Sequence, residues 1–162
     1  MTMEKDGFWK KAAVYGGFIA GTLLVGALAG YLISGSMGFY ESLNKPPLSP
    51  PGKVFPAVWS VLYILMGIGA ARVFLSGKEG RKAALVLYGV QLLFNFCWSL
   101  LFFNARMFLA AFLWLIVLLA LIATMFAVFR RLDRAAGWMQ LPYLLWVAFA
   151  GYLNCAVWLL NR

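Results

Sequence analysis

Residues 107–129 read MFLAAFLWLIVLLALIATMFAVF, a stretch without a charge in which Thr124 is the sole hydroxyl or amide side chain. A helix needs about 20 mostly apolar residues to cross the hydrocarbon of a bilayer, so this stretch decides the class of the fold. Arg106 and Arg130 bound it. The same punctuation by charge recurs along the chain and leaves uncharged runs at 12–40, 54–71, 83–105 and 135–161. Five spans take up about 100 residues, which leaves no room in a chain of 162 for a separate soluble domain. The expected architecture is an all-α membrane protein, 1–162, with five transmembrane helices at about 12–33, 54–74, 83–103, 107–129 and 138–160 in a single compact bundle. A proline-rich connection, 34–53, separates the first two. The short connections between the later spans make neighbouring helices antiparallel.

Composition removes several functions. The chain is 64% hydrophobic and 12% charged, against about 25% charged in a soluble domain, which excludes a cytosolic enzyme, a secreted disulfide scaffold and a large receptor ectodomain. There is no histidine, hence no imidazole base, no histidine-type zinc site and no proximal haem ligand; no metal site is expected. The five acidic residues, Glu4, Asp6, Glu41, Glu79 and Asp133, all lie outside the runs, so no intramembrane carboxylate is present to relay protons or pair with a cation. That argues against an ion-coupled exporter. Cys97 and Cys155 fall within spans, where a thiol is a small apolar group.

The net charge of +9 is spread between the runs and forms no stripe or tail, so nucleic acid is not the expected partner. The charges instead give a topology. Lys5, Lys10, Lys11, Arg72, Lys78, Arg81, Lys82, Arg130, Arg131 and Arg134 share one side, against Lys45, Lys53, Arg106 and Arg162 on the other. The positive-inside rule places the N-terminus in the cytoplasm and the C-terminus outside. The first run has a basic start and a small-residue Ala27-Leu28-Ala29, as a signal peptide does, but its apolar stretch is longer than a signal's 7–15 residues. Ala13, Gly17 and Gly21 share one face of it and Gly26 and Gly30 nearly the opposite one, a pattern of close helix packing within one bundle or between two chains.

Four prolines in six positions, Pro46, Pro47, Pro50 and Pro51, fix φ and remove donors, so 34–53 is expected to be stiff and extended. It is either a rigid surface turn or a lid over the mouth of the bundle. Directly after it, Phe55, Trp59, Leu62, Tyr63 and Met66 form an aromatic stripe on the second span. On the third span Tyr88, Gln91, Asn95, Trp98, Ser99 and Phe102 share a face about 80° wide. Amides need partners that hydrocarbon cannot supply, so this face should point inward, either as packing glue or as a binding surface. The fifth span repeats the idea with Tyr143, Trp146, Ala150, Leu153 and Asn154 behind Pro142. The fourth reads as a supporting wall, with Trp114 in a packing or lipid-facing role.

Taken in order, Phe39-Tyr40-x-x-Leu43-x-Lys45-Pro46-x-x-x-Pro50-Pro51, Phe55-x-x-x-Trp59-x-x-Leu62-Tyr63-x-x-Met66-Gly67, Gln91-x-x-x-Asn95-x-x-Trp98-Ser99-x-x-Phe102-Phe103 and Pro142-Tyr143-x-x-Trp146-x-x-Phe149-Ala150-x-x-Leu153-Asn154 resemble the signatures of the translocator protein family over nearly the whole chain. That family takes in the tryptophan-rich sensory proteins and the peripheral benzodiazepine receptor. The resemblance implies a five-helix bundle, commonly homodimeric, that binds protoporphyrin IX or haem as ligand, with no required cofactor. It implies a pocket lined by Tyr40, Pro50, Trp59, Tyr63, Asn95, Trp98, Trp146 and Ala150; the helical-face reading adds Phe55, Gln91 and Tyr143. It also implies light-dependent porphyrin breakdown, in which Trp59 and Trp146 would be the catalytic candidates. Phe39 and Leu48 stand where members often carry tryptophan. No Lys or Arg follows Tyr152 within five residues, so the animal proteins' sterol pattern is missing and sterol is not an expected partner.

A flat apolar tetrapyrrole suits an aromatic slot with a few orienting polar groups. Lys45 and Lys53, or the Asn95 and Trp98 donors, are the candidates to meet its propionates. Without histidine, iron ligation would fall to Met, Cys, Tyr or water, so metal-free porphyrin should bind at least as well as haem. The expected function is a porphyrin-binding sensor or regulator in the membrane; a photochemical enzyme, a transporter of hydrophobic or anionic metabolites and a purely structural partner protein are the competing readings.

Overall fold

The computed structural model describes the backbone of residues 2–162 and side-chain surroundings from Gly7 onward, so the charges of Glu4, Lys5 and Asp6 lie outside the described residues. The helices are α1 (Thr2–Ile33), α2 (Met37–Ser42), α3 (Val54–Leu75), α4 (Arg81–Ser99), α5 (Phe108–Leu132), α6 (Arg134–Trp138) and α7 (Leu141–Leu160). Among the described residues, five helical segments are long and apolar enough to span a membrane: Gly7–Ser42, Val54–Leu75, Arg81–Asn104, Phe108–Leu132 and Arg134–Leu160. They form one bundle with a loop end, which carries 43–53, and a basic end, which carries Arg72 and Arg130.

The first helix begins well before position 12 and, through a 3-10 turn at Ser34–Ser36, runs on into α2. The extended conformation expected for 34–53 therefore applies only after Ser42. Nothing in 34–45 is a proline, so helical backbone bonds close there as elsewhere, and the chain leaves the helix at Leu43 with extended dihedrals shortly before Pro46. Leu48, at φ +71°, turns the chain between Pro47 and Ser49, whose N–H bonds Pro46 O. At the other end of the bundle the last span starts with a short separate helix: Asp133 leaves the α5 conformation and caps α6 by accepting from the Ala136 N–H.

α1 and α3 pack closest near Gly67. A side-chain carbon there would lie 2.7 Å from the Ile19 Cα, so only hydrogen lets the two backbones approach. Between α4 and α5 the chain widens into a π-helical turn at Leu100–Asn104, which keeps Phe102 and Phe103 buried. The predicted inward face of α4 is buried along its whole length: Tyr88, Gln91, Asn95, Trp98, Ser99 and Phe102 are all under a tenth exposed. Trp114 of α5 packs: it stacks on Phe94 and donates to the Phe94 carbonyl at 2.8 Å.

Candidate functional site

Three aromatic side chains of α3 and α4 form the centre of the bundle's loop half. Trp59 stacks on Tyr63 with ring centroids 5.5 Å apart, and lies 6.4 Å from Trp98 and 6.1 Å from Tyr143. The helical stripe explains the first pair, since positions four apart lie one above the other.

Behind this cluster the polar groups bond to one another. Tyr63 donates to Asn95 Oδ1 at 2.8 Å, Asn95 Nδ2 donates to Tyr143 Oη at 3.2 Å, Tyr143 donates to Gln91 Oε1 at 2.8 Å, and Gln91 Nε2 donates to Met66 Sδ at 3.9 Å. Trp98 Nε1 donates to Asn154 Oδ1 at 3.1 Å, and Asn154 Nδ2 to the Phe108 carbonyl at 2.8 Å. These bonds join α3, α4, α5 and α7. Interhelical hydrogen bonds in a membrane average about 0.6 kcal/mol and reach about 1.7; leaving the amides unpaired would cost more. Gln91, Asn95 and Tyr143 thus serve as interhelical fasteners in this conformation.

In front of the cluster lies a cleft of about 560 Å³, within the size range of small-molecule sites. Its back wall is Trp59, Tyr63, Trp98 and Phe103, with Phe55 above; its front wall is Leu23, Gly26, Gly30 and Ile33 of α1, closed at the loop end by Ser34 and Met37. The lining is mostly apolar. The Ser34, Ser60 and Ser99 hydroxyls donate to helix carbonyls and keep their lone pairs free to accept.

Of the residues singled out in the sequence, Phe55, Trp59, Tyr63 and Trp98 line this cleft. Gln91, Asn95 and Tyr143 stand behind it in the network. Tyr40 is buried against Phe55, Phe102 and Phe103 and anchors α2. Pro50 is half-buried in the connection and does not reach the lining. Trp146 and Ala150 lie on α7 and outside the lining; the Trp146 ring meets Phe55 edge-on at 6.1 Å, and its buried Nε1 has no hydrogen-bond partner among the described residues. Lys45 folds back, with Nζ donating to the Tyr40 and Glu41 carbonyls, and Lys53 is exposed away from the lining. The α1 wall was not among the sequence candidates. Its signal was Gly26 and Gly30, read there as packing residues.

The match to known proteins is broad. The model of the TspO/MBR family matches residues 18–159. The chain is 37% identical over 125 residues to a protein of Chlorobaculum tepidum named tryptophan-rich protein TspO, covering 76% of this chain and 79% of that one. It is 40% identical over 125 residues to protein CrtK of Rhodobacter capsulatus, covering 76% and 78%. The translocator protein of Ovis aries is 34% identical over 135 residues, covering 82% and 80%. With a family match over most of the length and relatives aligned across more than two thirds of both partners, this five-span membrane protein belongs to the TspO/MBR family.

Proposed function

We propose that the chain is a membrane receptor of the tryptophan-rich sensory type, which binds a porphyrin such as protoporphyrin IX in the cleft in front of Trp59 and regulates tetrapyrrole or stress metabolism. The carrying observation is the continuous aromatic wall of Trp59, Tyr63 and Trp98 facing a largely apolar space of about 560 Å³. Ring stacking and apolar burial would supply most of the affinity, and the free serine lone pairs suit the pyrrole N–H groups of a metal-free macrocycle. Trp146 packs edge-on against Phe55, which lines the cleft, and its buried N–H, without a partner among the described residues, is the donor a ligand carboxylate would take up once the Phe55 ring turns aside. The protein works as a homodimer, with its N-terminus in the cytoplasm.

A photochemical reading has one observation of its own. Trp59 lines the cleft and stacks on Tyr63, so a light-excited porphyrin there would touch an oxidisable pair. Titration of the purified protein with protoporphyrin IX, read by tryptophan quenching, tests the receptor reading. Trp59→Leu should weaken binding about tenfold, as loss of a stacked ring and its buried area requires. An unchanged curve would remove the site from this cleft. Illumination of the parent, Trp59→Phe and Trp146→Phe separates the two readings: porphyrin loss that is equal in all three rejects a role for either tryptophan.

A further inference from the structure

The walls of the cleft are not equally covered. Tyr63, Trp98, Ser99 and Phe103 are buried, whereas Ala27 and Gly30 of α1 and Pro56 and Ser60 of α3 are exposed. All four line the same cleft, two from each helix. α1 and α3 run antiparallel and touch backbone to backbone at Ile19 and Gly67; about one turn on along α3 and two along α1, the Tyr63 ring fills the space over Gly26; beyond that, a side-chain carbon added at Gly30 would meet nothing within 4 Å among the described residues. The two helices therefore diverge like the arms of a V, and the cleft is the space between the arms. Ser60 lies six residues into α3, about 9 Å below its start at 1.5 Å per residue. The interfacial layer on each side of a bilayer is only about 5–8 Å deep. With the start of α3 set at the outer edge of that layer, Ser60 lies at the depth of the hydrocarbon, and the gap opens at that depth.

The water-facing route is fastened instead. Asn161 on the last turn of the chain accepts from the Asn44 N–H at 3.0 Å and donates to the Asn44 carbonyl at 2.9 Å, and Tyr152 donates to the Pro47 carbonyl at 3.2 Å. On the other side, Ser36 and Asn104 are bonded at 2.8 Å, and the Arg106 guanidinium covers the Phe39 ring at 3.9 Å. Entry from water would have to break several of these bonds, while entry between the helices breaks none.

We propose that the ligand enters this cleft sideways from the bilayer, through the gap between Gly30 and Ser60, and that the proline segment is a fixed roof and not a door. The proposal rests on the porphyrin-binding reading above and narrows its ligand class to molecules that dissolve in lipid: flat, apolar and polar only at an edge. Such a doorway sets rates, because a side chain in it obstructs passage in both directions.

The test is the rate of tryptophan quenching by protoporphyrin IX after rapid mixing, with full-length protein in phosphatidylcholine vesicles. Gly30→Leu, whose new side chain has open space, should slow association by about tenfold or more. Ser60→Phe obstructs the facing side and should do the same, so the result does not hang on one variant folding. Asn161→Ala, which releases the roof, should leave the rate within about twofold. Faster association in Asn161→Ala, or parent-like rates in both Gly30→Leu and Ser60→Phe, would overturn lateral entry while leaving the binding site in place. Parent protein that shows no saturable quenching would overturn both the site and its doorway.

Discussion

Asp133 shows how one side chain can order a whole connection. It accepts two bonds from the Arg72 guanidinium, at 3.0 and 2.9 Å, and a third from the Ala136 N–H at 2.8 Å. Partial burial pushes its carboxyl up, but the Arg72 bonds and the backbone N–H groups outweigh this and hold it below the ordinary aspartate range. A carboxyl with a lowered native pKa stabilises the fold fully above its unfolded value of about 3.9 and loses that contribution as pH falls through the native one. Asp133→Asn should therefore lower stability by about 1 kcal/mol at pH 7, the scale of a partly exposed pair. The gap in thermal midpoint between parent and variant should start to shrink as pH falls below the unfolded value of about 3.9 and close only below the lowered native one; a gap that widens in acid would contradict the assignment. The serines show a different residue-level device. The Ser60 hydroxyl bonds the Pro56 carbonyl on the preceding turn of its helix, as the Thr124 hydroxyl bonds Ala120 on α5, which places polar atoms on a span at little cost.

Among the elements, the α1–α3 pair matters most, since its crossing closes one end of the cleft. Gly67→Leu would drive side-chain carbons into the Ile19 backbone; overpacking of this kind costs about 1–3 kcal/mol, and the expected result is a lower thermal midpoint in detergent. Gly89→Leu, at a helix position with nothing within 4 Å of the added carbon, should stay within about 0.5 kcal/mol of the parent. Much of this scale was legible in the sequence. Spacing alone turned Gln91, Asn95 and Trp98 inward, because amides cannot face hydrocarbon. What spacing could not decide was whether those groups meet each other or a ligand. That depends on separations of about 3 Å between different helices, which no periodicity within one helix encodes. α1 was harder still. Its glycines signalled close approach, yet Gly26 receives a tyrosine ring and Gly30 faces open space, a difference set by the angle of α3 and invisible in α1 itself.

At the scale of the molecule, the chain closes on itself: the Asn44–Asn161 pair ties the first connection to the residue that caps the last helix. Asn161→Ala should leave the five-helix bundle folded but raise amide hydrogen exchange selectively in 43–53, by roughly the tenfold that about 1.4 kcal/mol of lost fastening gives. Exchange rising equally in α4 and α7 would mean that the roof and the bundle are one cooperative unit. The five-span count and the order of the spans were legible from charge alone, whereas the roof's partners, more than a hundred positions away, were not. The buried chain from Tyr63 through Asn95, Tyr143 and Gln91 to Met66 has a consequence for the membrane around it. Every bond in it points the same way, two of its links are carboxamides, and it ends on a thioether that has no hydrogen to hand on. Protons cannot hop along such a series. The polar interior therefore offers a transmembrane proton gradient no path along this network.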